Sequence, residues 1–193
     1  MIRSSRRLFG LTVTKRFNRR PRSALRLEVL EDRTVPSALW VTNNLDTGVA
    51  GDGSLRGEIA AAIQNSDGSN TIYFAPGLSG KTITLTQGEL DIKLASSRSL
   101  DIEGLGANRL AVSGGGTSRV FYIGTSTTVT IARLTITDGL ASTAPDSVVL
   151  RCHGGGILND TDANLTLTDD ILSDNNIGQP CSTDLRAAWQ GDK

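Results

Sequence analysis

Aromatic side chains are scarce in this sequence, 4% of 193 residues, which excludes a core organised around large aromatic anchors and leaves Leu, Ile, Val and Thr to fill it. There is one histidine, His153, and there are two cysteines, Cys152 and Cys181. Two cysteines with neither CxxC spacing nor companions exclude a zinc site and a multi-bridge disulfide framework; a single Cys152–Cys181 bridge and two free thiols both stay open. The apolar run Leu8-Phe9-Gly10-Leu11-Thr12-Val13 is too short to span a bilayer and lacks the uninterrupted core of an ordinary signal peptide. Acid is missing from the head: Arg3 to Arg26 carries nine cations and no carboxylate. Met1 to Pro36 holds 10 of the 20 Lys and Arg but 3 of the 20 Asp and Glu, which leaves a body with a net charge of −7. An acidic folded surface repels phosphate, so the body is not expected to bind nucleic acid, and only the head is a candidate for an anionic membrane or nucleic acid.

What the chain has instead is a texture of short β-prone runs punctuated by Gly, Asn, Asp and Ser after Ser37. Strands are expected at 39–42, 71–74, 82–86, 90–92, 100–102, 110–112, 120–123, 128–131, 134–137, 156–158 and 165–168. A single helix is expected over 54–64, where Leu55, Ile59, Ala62 and Ile63 recur at helical spacing. Strands this short cannot form a stable sheet alone, and their spacing admits a sandwich or a coil of stacked rungs. Leu100, Leu110 and Val120 recur at an interval of ten, each opening a brief apolar alternation that ends in Gly, which favours rungs with corner glycines. The stretch from Val129 to Gly139 also lies over Leu165 to Asn175 without gaps. It matches Val129, Ile131, Ile136 and Asp138 to Leu165, Leu167, Leu172 and Asp174, and places Leu134 on Asp170. The turn residues that follow, Asp138-Gly139 and Asp174-Asn175-Asn176, are types that tolerate a left-handed backbone, and outward Thr and Asn can ladder from rung to rung.

Two resemblances sharpen these expectations. Leu27-Glu28-Val29-Leu30-Glu31-Asp32-Arg33-Thr34-Val35-Pro36-Ser37 resembles the LExLEDRxVPS segment near the N-termini of large planctomycete surface proteins, which implies a sorting or processing signal carried by Leu27, Leu30, Glu31, Asp32, Arg33 and Pro36. Ser5 to Leu11 resembles a twin-arginine export motif, with Lys15 and Arg16 where an apolar stretch would follow. Gly53-Ser54-Leu55-Arg56-Gly57-Glu58-Ile59, then Thr71 to Gly80 and Thr82-Ile83-Thr84-Leu85, is similar to the opening of CSLREA-type repeat proteins, with Ser54, Leu55, Arg56 and Ile59 as the motif. That family implies an all-β, pectin-lyase-like right-handed parallel β-helix with a short N-terminal capping helix. Gly53 stands where the family has Cys, Glu58 falls one place late, and Ser147 to His153 interrupts a loop. The expected organisation is a basic export and sorting segment, 1–37, β-helix repeats, 38–176, and an irregular tail, 177–193. The chain reads as the N-terminal part of a longer β-helix protein ended early, with a naturally short form as the alternative.

Nothing here commits the chain to catalysis. Cys152 and His153 are adjacent, and neighbours on an extended chain point to opposite faces, so a thiol and its base are not expected. Asp138, Asp160, Asp162, Asp169, Asp170 and Asp174 are read as corner residues, although acids clustered on one face serve sugar hydrolysis or bind Ca²⁺. No cofactor is expected, Ca²⁺ being the one left open. Gly114-Gly115-Gly116 and Gly154-Gly155-Gly156 lack the strand and helix context of a phosphate loop and read as turns. The expected role is that of an extracellular or cell-surface scaffold or adhesin facing polysaccharides, without a transmembrane segment; a polysaccharide lyase or glycoside hydrolase is the alternative, with Arg133 as its basic candidate. On this reading, residues 38–193 give a β-type far-UV circular dichroism spectrum and a cooperative thermal melt; a disordered spectrum rejects it.

Overall fold

A computed structural model describes residues 10, 37–141 and 154–178. The sorting-type residues Leu27, Leu30, Glu31, Asp32, Arg33 and Pro36, the Cys152-His153 pair, and Cys181 lie outside the described residues. The described chain is mostly β, built from parallel sheets and one helix. In order it runs β1 (Ser37–Val41), α1 (Leu55–Gln64), β2 (Ser69–Phe74), β3 (Lys81–Thr84), β4 (Leu90–Ile92), β5 (Ser99–Glu103), β6 (Leu110–Ser113), β7 (Phe121–Ile123), β8 (Thr128–Ala132), β9 (Thr135–Thr137), β10 (Ile157–Asn159), β11 (Asn164–Thr168) and β12 (Ile171–Ser173). The expected strands and helix all form, with ends shifted by at most two residues. β12 is the strand that local pattern does not mark, being three residues behind Asp169-Asp170, yet the repeat overlay carries it by setting Leu172 on Ile136.

All pairings among these strands are parallel, in sheets of order β1-β2-β5-β8-β11, β3-β6-β9-β12 and β4-β7-β10. From β2 onward the chain visits the three sheets in rotation, so each strand pairs with the one three strands later. The ten-residue interval of Leu100, Leu110 and Val120 is therefore one side of a circuit: Leu100 lies on β5, Leu110 on β6, and Val120 immediately before β7. A full circuit is about three times longer. Leu39, Ile72, Ile102, Ile131 and Leu167 stack in register across the five-stranded sheet, at separations of 33, 30, 29 and 36 residues.

Period-2 alternation decides which side chains enter the core. Ile72, Ile102 and Ile131 from one sheet, Ile83, Val112 and Ile136 from the second, and Leu90, Phe121, Ile92 and Ile123 from the third are buried in one cluster. α1 packs on β1, β2 and β4 and adds Leu55, Ile59 and Ala62 to it. Burial weakens in the last circuit, where Leu167 is 41% and Leu172 50% exposed.

The corners repeat as well. Ser126 and Asp162, Arg133 and Asp169, and Asp138 and Asp174 all have φ between 51° and 59°, and each pair is separated by the 36 residues of one circuit. Asp is among the residue types that tolerate this left-handed region. At the next corner, Asn175 accepts from the Gly139 N–H at 2.9 Å and donates to the Ile136 carbonyl at 2.8 Å, tying two circuits together. Gly155 is required there, because a Cβ would overlap the Asn176 carbonyl oxygen.

The burial gradient predicts unequal losses along one stacked row. Ile131→Ala should cost about 2–5 kcal/mol and Leu167→Ala about 1 kcal/mol, measured by urea unfolding; equal losses would contradict the gradient.

Candidate functional site

The outer face of the five-stranded sheet follows from the same alternation that builds the core. In β1, Leu39 and Val41 point inward, so Trp40 between them points out and is 51% exposed. In β2, Ile72 and Phe74 are buried, so Tyr73 points out and is 37% exposed. The register pairs Trp40 with Tyr73, and the ring centroids stand 5.3 Å apart with planes tilted by 33°. The same row continues through Glu103, Ala132 and Thr168. The neighbouring outward row is Ala38, Thr71, Asp101, Thr130 and Thr166. A third holds Ser69, Ser99, Thr128 and Asn164, with the Ser99 hydroxyl donating to Ser69 at 3.2 Å.

This face therefore presents two joined aromatic rings, then two carboxylates, then a field of hydroxyls. Arg133, the basic residue singled out from the sequence, lies at its border. Its Nη2 donates to Glu103 Oε2 at 2.7 Å, and both side chains are substantially open to solvent. It thus meets one acid, in an exposed pair of the kind that contributes little to stability. Trp40, Tyr73, Asp101 and Glu103 are the functional candidates that sequence reasoning missed. Alternation marks each as outward, but no local signal sets Trp40 beside a residue 33 positions away.

The opening motif does different work. Ser54 caps α1, accepting from the Gly57 N–H at 3.0 Å, and Glu58 reaches back to accept from the Gly53 N–H at 2.9 Å. Leu55 and Ile59 enter the core. Arg56 donates to both Asp46 oxygens, at 2.7 and 3.2 Å, and to the carbonyls of Gly88, at 2.6 Å, and Glu89, at 2.9 Å. Asp46 also accepts the N–H groups of Thr86 at 2.6 Å and Gln87 at 2.9 Å. Burial alone would raise the Asp46 carboxyl, but the Arg56 hydrogen bond and these backbone donors together hold it below its usual value. These residues lock α1 onto the segment before β4 and are not arranged around an open site.

The carboxylates read as corner residues occupy corners. Asp138, Asp162, Asp169 and Asp174 have left-handed backbones. Asp170 accepts the N–H groups of Leu134 at 2.8 Å and Thr168 at 3.1 Å, and burial pushes its carboxyl up. Asp160 accepts from the Tyr122 hydroxyl at 2.5 Å, while Lys93 Nζ sits 5.1 Å from the Tyr122 ring centroid. That hydrogen bond, with burial and the charges of Asp160, Asp91 and Glu89, pushes the Tyr122 phenol up to about 12, so it stays a neutral donor at physiological pH. Among the described residues no group of three or more His, Cys, Asp or Glu is arranged to hold a metal ion, and no helix is long and apolar enough to cross a membrane.

No family model, no curated protein and no solved structure matches this chain.

The Asp46 lock predicts a pH signature. A carboxyl whose folded pKa lies below its unfolded value stabilises the fold fully above the unfolded pKa, about 4, and that contribution is lost as pH falls through the lower, folded value. Asp46→Asn should therefore cost about 3 kcal/mol at pH 7, with the gap from wild type narrowing below about pH 4. Parallel urea titrations at pH 7 and pH 3 check this, and a gap that widens in acid contradicts it.

Proposed function

We propose that this chain is an exported extracellular or cell-surface protein, wound as a right-handed, pectin-lyase-like parallel β-helix, with a structural and adhesive role in which the outer face of the five-stranded sheet holds glycans. The hand is supported by the near-universal right-handedness of crossovers between parallel strands of one sheet. Export is supported by the likeness of Leu27 to Ser37 to a planctomycete sorting segment, and the family reading by the CSLREA-type opening at Ser54, Leu55, Arg56 and Ile59.

The observation that carries the adhesive reading is the Trp40–Tyr73 pair. In a chain this poor in aromatics, two of the large rings stand in contact on the outer face of a sheet, Trp40 51% and Tyr73 37% exposed, while Phe74 and Phe121 are buried. An exposed aromatic pair leaves apolar surface in water unless a partner covers it, and a sugar ring, with an apolar C–H face and hydroxyls at its rim, matches rings bordered by hydroxyls and carboxylates. Carbohydrate stacking of this kind needs no metal and no moving part.

A second reading, polysaccharide lyase or glycoside hydrolase, has one observation in its favour. Asp101 and Glu103 leave β5 on the same face, two residues apart, and a pair of carboxylates on one face is what glycoside hydrolysis uses. Arg133 stands against Glu103.

Affinity gel electrophoresis against a panel of polysaccharides separates the two readings. On the adhesive reading Trp40→Ala loses about tenfold in affinity for whichever glycan binds, with the far-UV spectrum unchanged. Arg133→Ala then stays within about twofold of wild type, an exposed pair being worth little, and neither protein shortens the polymer. Depolymerisation by wild type that Arg133→Ala abolishes would transfer the case to the enzyme.

A further inference from the structure

The outer face of the five-stranded sheet is electrostatically one-sided where the aromatic pair sits. Within the five strands the charged residues are Asp101 and Glu103, both on β5, adjacent to Thr71 and Tyr73 of β2. Glu103 has Arg133 as its counter-ion, and among the described residues Asp101 makes no ion pair. Two further carboxylates border the sheet: Asp67, which accepts from the Ser37 hydroxyl ahead of β2, and Asp169, behind β11. Arg98 precedes β5, but its guanidinium is turned to the end of α1, donating to the carbonyls of Ala62 at 2.5 Å, Ile63 at 3.0 Å and Asp67 at 2.8 Å and to Asn65 Oδ1 at 2.8 Å.

We infer that the Trp40–Tyr73 platform selects uncharged glycans, polymers of neutral hexoses or pentoses, and rejects polyuronates. The inference rests on the glycan-binding reading and assigns its ligand class. A polymer lying across the strands passes from the rings onto Asp101 and Glu103 in the next strand of the sheet. Each strand step is about 4.8 Å, so these carboxylates lie within a Debye length of a sugar stacked on Tyr73. Neutral sugars offer hydroxyls as donors to both carboxylates, which are acceptors only. A uronate offers a like charge at the same place, and Arg133 is already engaged by Glu103. Rejection is thus electrostatic, and it strengthens as salt is removed. The same charges determine the direction of a change in specificity: neutralising both acids removes the negative charge beside the rings and releases Arg133 from Glu103, so the discrimination against uronates shrinks.

The test is calorimetric titration of the intact protein with cellohexaose, xylohexaose and mannohexaose, against hexagalacturonate, in buffer containing chelator at 20 mM and about 150 mM salt. At least one neutral oligomer should bind, with hexagalacturonate at least about tenfold weaker at the lower salt and the ratio shrinking at the higher. In the Asp101→Asn, Glu103→Gln double variant the ratio should fall to about threefold or less, and adding Trp40→Ala should remove what binding the double variant has, because the rings remain the platform. Hexagalacturonate binding as tightly as the neutral oligomers, or a ratio the double variant does not move, overturns the selection while a loss of affinity on Trp40→Ala would still uphold the glycan reading. Failure of all four oligomers to bind removes the glycan reading, and this inference with it.

Discussion

Parallel, in-register stacking of each circuit on the one before is the constraint from which the rest of this molecule follows. Its strands run from three to six residues, too short to hold a sheet together alone. Their backbone groups are satisfied by the strand one circuit away, and the same pairing stacks Ile72 on Ile102 on Ile131, and Ile83 on Val112 on Ile136. Backbone pairing and core packing are therefore one event. Between the last two described circuits the corners recur in step as well, three pairs of left-handed residues each lying 36 residues apart.

A stack has two ends, and the described ends differ. At the first, α1 lies against β1, β2 and β4 and is fastened by Arg56 to Asp46 and to the carbonyls of Gly88 and Glu89. The motif that carries a family resemblance in the sequence is thus a fastening in the structure. Its residue types suit that work: a hydroxyl to cap a helix, a guanidinium that satisfies several acceptors at once, and aliphatics at helical spacing. At the other end the aliphatics of β11 and β12 are substantially exposed, so the apolar gain per residue falls in the last circuit.

Because the core consumes alternate residues, the outer face is made of the remainder, and its chemistry is what those residues bring into line. Trp40, Tyr73, Glu103 and Thr168 belong to four separate strands and meet in one row through register alone. Legibility differs sharply between the parts. The helix at 54–64 and the strands around Ile72, Ile102 and Ile131 are plain from periodicity. Asp138 and Asp174 are readable as left-handed corners from residue type. The overlay of Val129 to Gly139 on Leu165 to Asn175 matches the observed pairing of β8 with β11 and β9 with β12. Its mismatch of Leu134 against Asp170 proves to be a contact, since the Asp170 carboxylate accepts the Leu134 N–H. By contrast, no reading of the residues near Trp40 points to Tyr73.

Strands, corners and the helix are placed by short stretches of chain, because alternation, helical spacing and tolerance of positive φ are properties of a few neighbouring residues. The repeat overlay states one step, the 36 residues from β8 to β11; the other adjacencies rest on circuit lengths of 33, 30 and 29 residues, which no local pattern states and which the folded chain alone supplies. Sharing a face is a matter of register summed over whole circuits, and so the aromatic pair and the carboxylates beside it exist as a site only once the chain has stacked.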